Sequence, residues 1–545
     1  MRKRKKAKGR KAKKKSRKAA KGFTLPKKRY AFLSVSDKKG LDKFAQGLKS
    51  LKFEIISSGG TAKFLRKAGV RVTEVARLTK YPHMLGGRVK TLHPIIHGGI
   101  LADRTNPEHI KDLVKFKINP FEIVVCNLYP FEKVISQPEF SHAEAIENID
   151  IGGPGMVRGA AKNYKNVAII VDPEDYQSVL DELKENGEVS LESKQRLALK
   201  AFKHTRYYDS VIVRYLSEKF EGKEEFPNHT GIFLEKVQNL RYGENPHQRA
   251  AFYREMGIGE EGLGSQMTKA KQLHGKELSF NNLVDMDAAW AIANYFADPT
   301  VAIIKHTNPC GVAKAETVHA AYKKALECDP VSAFGSIVAA NRRIDEETAK
   351  EMSPLFVEVV IAPAYTPKAL AILKEKKNLR IMEMGEQAMG KPFSGLDYKR
   401  ISGGMLVQEP DLAQLAINEA KVVTKREPSL AEMEDLFFAW GVVKHVKSNA
   451  IVIAREGQAA GVGAGQMSRI EAAELAIKRS GEKVKGAVLA SDAFFPFPDV
   501  VELAAKVGIT AIIQPGGSKR DQESIDKANE LGLSMVFTGR RHFKH

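Results

Sequence analysis

From Tyr30 onward, short apolar runs alternate with amphipathic stretches, and this alternation constrains the fold most. "YAFLSVS", "FEIIS", "RVTEV", "FEIVVCNLY" and "NVAIIVD" read as strands. "LDKFAQGLKSL" and "GGTAKFLRKAG" read as helices between them. Strand–helix alternation predicts βαβ units around a mostly parallel sheet. Helical segments follow, and the pattern lapses in the polar stretch "SEKFEGKEEFPNHTG", 217–231. It then restarts: "TVAIIKH", "GSIVAAN", "GVVKHVKSNAIVIA", "GAVLASD" and "TAIIQPGG" read as further strands. The expected organisation is a tail at 1–29, an α/β domain at 30–220, a linker at 221–232 and a second α/β region at 233–545.

Charge divides the chain in the same way. The formal net charge is +22, but residues 1–29 alone carry 17 Lys/Arg and no acid. The remainder holds 70 basic and 65 acidic residues, so a near-neutral body follows a polycationic tail. The tail lacks the apolar core of a secretory signal and the apolar content needed to pack, so disorder is expected. Such a run suits RNA or another polyanion, and equally a solubilising extension or an upstream start codon chosen in error. A protein organised around nucleic acid would show basic excess in its body too, and this body has little. No apolar run is long enough to span a membrane. Three widely spaced cysteines, Cys126, Cys310 and Cys328, fit neither a disulfide framework nor a zinc cluster, and a reducing cytoplasm is expected.

Several stretches concentrate chemistry. In "ISSGGTAKFL" a strand meets a helix through Ser58, Gly60 and Thr61, the pattern of a phosphate cradle. "LGGRVKTLHPIIHGG" adds Arg88, Lys90, Thr91 and His93 beside two Gly-Gly pairs, which suits an anionic substrate. His93 and His97 are spaced for zinc, but no third ligand is evident. "CNLYPF" places Tyr129 at a strand's carboxyl end, where open α/β sheets bind ligands. "NIDIGGPGM" contributes Asp150, and Lys162 follows in a small-residue helix. Together these groups suit proton transfer around a phosphorylated ligand. "GVGAGQMSR" only superficially resembles a dinucleotide loop, because Gln466 stands where the third glycine belongs. Lys305-His306 and Lys444-His445 both appear at expected strand ends, each followed by an asparagine, Asn308 and Asn449, which hints at a duplication.

The strings "SVSDKKGL", "SGGTAKFLRKAGV", "MLGGRVKTLHPIIHGGIL", "CNLYPF", "IDIGGPGM", "LALKAF", "RYGENPHQ", "IKHTNPCG", "SAFGSIVA", "VKSNAIV", "GAGQMSR" and "SDAFFPFPD" occur in this order from about residue 30 to the end. Together they resemble the bifunctional purine-synthesis family that joins AICAR formyltransferase to IMP cyclohydrolase. The resemblance implies a methylglyoxal-synthase-like α/β domain, then two cytidine-deaminase-like α/β subdomains without zinc. It implies 10-formyltetrahydrofolate as cosubstrate, no prosthetic group, no catalytic metal and a homodimer with formyltransferase sites shared between subunits. The basic tail departs from the family pattern.

By the same resemblance, His306 would take the proton from the attacking amine, a task suited to imidazole near neutral pH. Lys305 would stabilise developing charge or protonate the leaving folate nitrogen. Asn449 would donate to the formyl oxygen. Arg241, Tyr242, Asn282, Arg469, Arg541 and Phe543 match nucleotide-binding positions, and Asp492 and Phe494 fall in a folate-facing segment. Ser336 stands where some relatives carry an acid. In the first domain, Ser34, Ser36, Lys38, Ser58, Gly60, Thr61, Arg88, Lys90 and Thr91 would hold phosphate and ribose. Lys90, Tyr129, Asp150 and Lys162 would handle charge and protons during ring closure. A second enzyme reading keeps this fold as an effector-binding or methylglyoxal-forming unit; the crowded proton-handling residues argue against effector binding.

Overall fold

The computed structural model describes residues 28–82, 84–222, 226–256, 267–390 and 395–545. The basic tail up to residue 27 lies outside the described residues. Arg29, assigned to that tail from sequence, instead opens the first strand and pairs with Glu122 at 2.7 Å. The chain divides into two compact units, one ending at Phe233 and the other beginning at Leu234. The last helix of the first unit runs from Leu191 to Phe220, into the polar stretch where the pattern lapses.

In the first unit, β1 (Arg29–Leu33), β2 (Phe53–Ser57), β3 (Val72–Glu74), β4 (Ile123–Val125) and β5 (Ala168–Ile170) form one sheet in the order β3-β2-β1-β4-β5. All neighbours are parallel. Alternate residues face opposite sides of a strand. Phe32, Ile56, Val124 and Ile169 accordingly enter one core, while Leu33, Ile55, Val125 and Ile170 enter another. This double burial explains why the strands read as continuous apolar runs. The chain order reverses on either side of β1, so a crevice opens at the carboxyl ends of β1 and β4. The 30-residue helix Leu191–Phe220 buries Leu197, Ala201, Tyr208, Val211 and Tyr215 along one stripe.

The second unit contains two exposed antiparallel ribbons: β6 (Leu234–Leu240) with β7 (Ala250–Glu255), and β14 (Asp397–Ile401) with β15 (Gly404–Gln408). Its main sheet has twelve strands. The first six are β8 (Lys271–His274), β9 (Thr300–Lys305), β10 (Asn308–Lys314), β11 (Ser336–Ala340), β12 (Val357–Ala362) and β13 (Arg380–Glu383). The other six are β16 (Lys421–Val422), β17 (Ile451–Arg455), β18 (Gln458–Gly463), β19 (Val488–Ser491), β20 (Ala511–Gln514) and β21 (Ser534–Phe537). The order is β16-β21-β20-β19-β17-β18-β10-β9-β11-β12-β13-β8, and the halves mirror each other about β18/β10.

The duplication is real, but its register differs from the Lys-His spacing. Lys444-His445 does not end a strand: it follows the helix Leu430–Val443, and the next strand is β17. "LFFAWGVV" is apolar on every side because that helix is buried, and periodicity does not separate such a helix from a buried strand. The two halves correspond 150 positions apart: Ser279/Ser429, Asp285/Asp435, Trp290/Trp440, Lys305/Arg455 and Gly311/Gly461. Ser279 and Ser429 both close capping boxes on equivalent helices. Gly311 and Gly461 lie at matched helix crossings, where a Cβ would fall 1.9 Å from Ala325 O and 2.1 Å from Ala476 O. The glycines of "GVGAGQMSR" therefore include one that serves helix–strand packing.

Candidate active sites

The first candidate site lies at the carboxyl ends of β1, β2 and β4. Ser58 precedes the helix Gly59–Lys67, whose first turn carries no acid. Its free N–H groups therefore favour an anion. The Ser58 hydroxyl is buried and has no hydrogen-bond partner among the described residues. The Thr61 hydroxyl is committed elsewhere: it donates to Val35 O at 3.0 Å and accepts from Val35 N at 3.1 Å. Its expected side-chain contact with phosphate is thus replaced by a tie to the segment after β1. Ser34 N–H donates to Val125 O, Ser36 N–H donates to Asn127 Oδ1, and Lys38 Nζ donates to Ser36 O. These residues build a ledge beside the cradle.

Lys90 joins the cradle to the proton-handling groups. A methyl at Gly59 would stand 3.2 Å from Lys90 Nζ. Lys90 also exerts its charge on Asp150. Burial raises the Asp150 carboxyl above its ordinary range, opposed by the Gly153 and Tyr129 backbone bonds and by Lys90. Gly153 N–H donates to Asp150 Oδ1 at 2.8 Å, and Asp150 N–H donates to the Tyr208 hydroxyl at 2.7 Å. Burial and the Asp150 charge raise the Tyr129 phenol. Thr91 is buried against the start of the helix Gly152–Lys162, where a Cβ at Gly152 would fall 2.5 Å from its hydroxyl oxygen. Glycine there lets the loop close over the helix. An apolar cavity of about 210 Å³, lined by Val75, Thr79, Tyr81, Met84 and Leu92, opens beside Lys90.

Two expected members stand differently. Arg88 faces an exposed ion pair with Glu147 rather than the cradle. Exposed pairs are worth little, so this one holds Arg88 weakly. Lys162 occupies the exposed last turn of its helix. At 1.5 Å per residue it is roughly 15 Å along the helix from the Asp150 end. His93 caps the helix Pro94–Leu101 through its ring nitrogen, which accepts from Ile95 N–H.

The second candidate site forms where the two repeats meet. Lys305 ends β9, and its Nζ donates to Phe334 O at 2.9 Å. His306 and Thr307 make the left-handed turn into β10, with φ of 51° and 61°. Asp285 accepts the N–H groups of both. Asn308 donates to His306 O at 3.1 Å and accepts from Lys447 N–H at 3.2 Å. The reactive-looking turn of one repeat is thereby tied to the segment that carries Asn449 in the other. A cleft of about 300 Å³ joins Lys305, His306, Asn308 and Asp329 to Gln466 and Arg479.

Asn449 accepts from Arg469 Nη2 at 2.8 Å and donates through Nδ2 to Met467 O at 3.0 Å. An amide nitrogen carries two protons, so one remains for a ligand. Asp492, expected to face folate, is instead completely buried. It accepts from Ser448 Oγ, from Ala450 N–H at 3.1 Å and from Arg469. Arg469 is itself buried in this pair. The C-terminal segment closes the arrangement: Ser448 N–H donates to Lys544 O, Lys544 N–H donates to Ser448 Oγ, and His542 N–H donates to Asp492 O.

Asn282 is also committed internally. Its Oδ1 accepts from Ser279 N–H, and its Nδ2 donates to Glu358 at 2.8 Å. Arg241 lies over the Tyr242 ring at 4.9 Å, and Arg541 over Phe543 at 4.7 Å. Phe494 and Phe497 are partly exposed, whereas Phe495 is buried. Ser336 is buried at the start of β11. The motif reading missed Asp285, Asn308, Ser448, Asn127 and Tyr208 as organising residues. The signal for Asp285 was present: the chain's two tryptophans, Trp290 and Trp440, mark the repeat offset that pairs it with Asp435.

With this geometry in place, the chain is a two-unit α/β protein whose residues 40–155 match the MGS-like domain. Residues 160–479 match the AICARFT/IMPCHase bienzyme family, and the chain belongs to that family. It is 53% identical over 515 residues to the bifunctional purine biosynthesis protein PurH of Acetivibrio thermocellus, covering 94% of this chain and 99% of that protein. The PurH of Thermoanaerobacter sp. (strain X514) is 54% identical over 519 residues, with 94% and 99% covered. The PurH of Bacillus thuringiensis subsp. konkukian (strain 97-27) is 51% identical over 518 residues, with 95% and 100% covered. A crystal structure of ForH shares 36% identity at a TM-score of 0.32, covering 34% of this chain and 97% of that one. No described helix is long and apolar enough to cross a membrane.

Proposed function

We propose that the second unit transfers a formyl group from 10-formyltetrahydrofolate to AICAR, and that the first unit closes formyl-AICAR to IMP. The observation that carries the reading is Asn308, which bonds both the His306 carbonyl and the Lys447 amide and so ties the two proposed reacting segments together.

In the formyl transfer, the AICAR amine attacks the formyl carbon and His306 takes its proton. The uncommitted N–H of Asn449 stabilises the oxygen as charge develops. Lys305 supplies a proton to the folate nitrogen as that bond breaks, giving formyl-AICAR and tetrahydrofolate. Arg469 acts through Asn449, which it holds at 2.8 Å, and Asp492 acts through Arg469. Arg241, Tyr242, Arg541 and Phe543 offer cationic and flat surfaces to the nucleotide, and Phe494 offers one to folate. Asn282 contributes by fixing its helix.

In the ring closure, the carboxamide nitrogen attacks the formyl carbon and water leaves. Both groups lie in one molecule, so orientation is the main requirement. Ser58 and the backbone amides from Gly59 to Thr61 hold phosphate, with Lys90, Lys38 and a reoriented Arg88 adding charge. Lys90, Tyr129 and Asp150 surround the reacting end. Neither step calls for a prosthetic group or catalytic metal, because proton transfer and charge stabilisation suffice. The reading extends to a cytoplasmic homodimer and to polyanion contact through residues 1–28. Full-length protein supplied with AICAR and 10-formyltetrahydrofolate should produce tetrahydrofolate and IMP. Loss of either product defeats the corresponding half of the proposal.

A further inference from the structure

The second unit contains its own control for the turn at His306. Asp285 in the first repeat and Asp435 in the second lie 150 positions apart on equivalent helices. Each accepts two consecutive backbone N–H groups from the turn of its hairpin. Asp285 takes those of His306 and Thr307 at 3.2 and 2.7 Å. Asp435 takes those of Glu456 and Gly457, both at 2.8 Å. The clamp is therefore a property of the repeat, whereas the side chains it presents differ.

The two turns depend on their clamps unequally. Both use left-handed backbone, with φ of 53° and 70° at Glu456 and Gly457. Glycine adopts that conformation freely, while a β-branched threonine adopts it against steric resistance. Thr307, at φ 61°, therefore needs outside support that Gly457 does not. The first turn supplies further ties: Thr307 Oγ1 and Asn308 Nδ2 both donate to His306 O, at 2.7 and 3.1 Å. His306, which lines the cleft, is thus gripped at its amide and at its carbonyl.

We infer that Asp285 is a positioning residue for formyl transfer, holding the strained His306–Thr307 turn so that the imidazole meets the substrate amine. Its carboxylate accepts from the His306 and Thr307 backbone and so acts through the turn they form. Misplacing a reacting group by about an ångström costs up to about a hundredfold in rate, which sets the scale expected here. The inference rests on the proposed formyl transfer.

The test compares Asp285→Asn with Asp435→Asn in the full-length protein, by formyl transfer to AICAR and by thermal unfolding. Asp285→Asn should lower kcat by about tenfold or more while KM for AICAR changes less than about threefold. Asp435→Asn should lower the melting temperature less, because Gly457 holds the left-handed turn freely, and should leave kcat within about twofold. Replacing Thr307 by glycine in the Asp285→Asn background, as the second repeat has it, should recover part of the lost stability. If Asp285→Asn alone is insoluble, the double variant takes its place, with the same loss of kcat expected. Wild-type protein without formyl transfer would defeat the functional reading itself. With active wild type, a kcat within about twofold in the Asp285 variant, or an equal loss in Asp435→Asn, would overturn the inference alone.

Discussion

The two candidate sites are built in opposite ways. The first gathers around one parallel sheet, where the helix Gly59–Lys67 offers backbone N–H groups and an unpartnered Ser58 hydroxyl. Lys90 borders that cradle and acts on Asp150, which in turn acts on Tyr129. The second gathers at a seam between repeats, where most polar side chains already bind one another. Arg469 holds Asp492 and Asn449, Asp285 holds the His306 turn, and Asn282 caps its helix. A site made by backbone suits a task dominated by orientation. A site made by interlocked side chains suits one in which a proton donor, a proton acceptor and an amide must be held at once.

The contrast predicts unequal sensitivity to substitution. Asp492→Asn should have the largest effect on folding. It weakens the partner of a buried arginine, and breaking such a pair costs on the order of 3–5 kcal/mol. Denaturant unfolding should show the second unit destabilised, with formyl transfer reduced and cyclisation spared. An unchanged midpoint would mean that Asp492 does not organise the seam.

In the first unit, Tyr129→Phe should reduce turnover by about tenfold or more while changing the Michaelis constant for formyl-AICAR little, as expected of a group acting in the transition state. Thr61→Val should leave both constants nearer wild type and cost about 1–3 kcal/mol of stability, because Val35 loses its hydroxyl partner in a buried setting. If Thr61→Val changes only phosphate binding and not stability, the tie to Val35 carries no weight.

Asp150→Asn sharpens the comparison at the smallest scale. Burial raises the folded-state pKa of Asp150 above 3.8, so its ionised form is disfavoured in the fold. The stability tied to the neutral carboxyl is present below the unfolded pKa and lost as pH rises through the folded one. The asparagine variant should therefore melt slightly higher than wild type at neutral pH, with the gap closing as pH falls, while cyclisation is lost. A gap that widens on acidification would reverse this sign.

The sequence displayed much of this. The strands of the first unit were legible because both faces are buried, which leaves apolar runs such as "FEIIS" between polar turns. The helix Leu430–Val443 misled because its surroundings are equally apolar. Motifs singled out residues that the fold gathers into two candidate sites, but did not reveal which way each polar group turns. The side chains of Thr61, Asn282 and Asp492, each expected to meet a substrate, instead satisfy backbone, Glu358 or a buried guanidinium. A buried polar atom is costly without a partner, so the fold's internal demand was met first at these positions. Asp285 escaped notice because its role lies in a turn closed by residues about twenty positions away.

The account's central claim is that each unit performs one reaction with its own residues. The most direct test assays His306→Ala in both. Formyl transfer from 10-formyltetrahydrofolate to AICAR should fall by about 10²–10⁴-fold, the usual worth of a general base, while cyclisation of supplied formyl-AICAR stays within about twofold of wild type. Two rates that fall together, or two that do not fall at all, would contradict it.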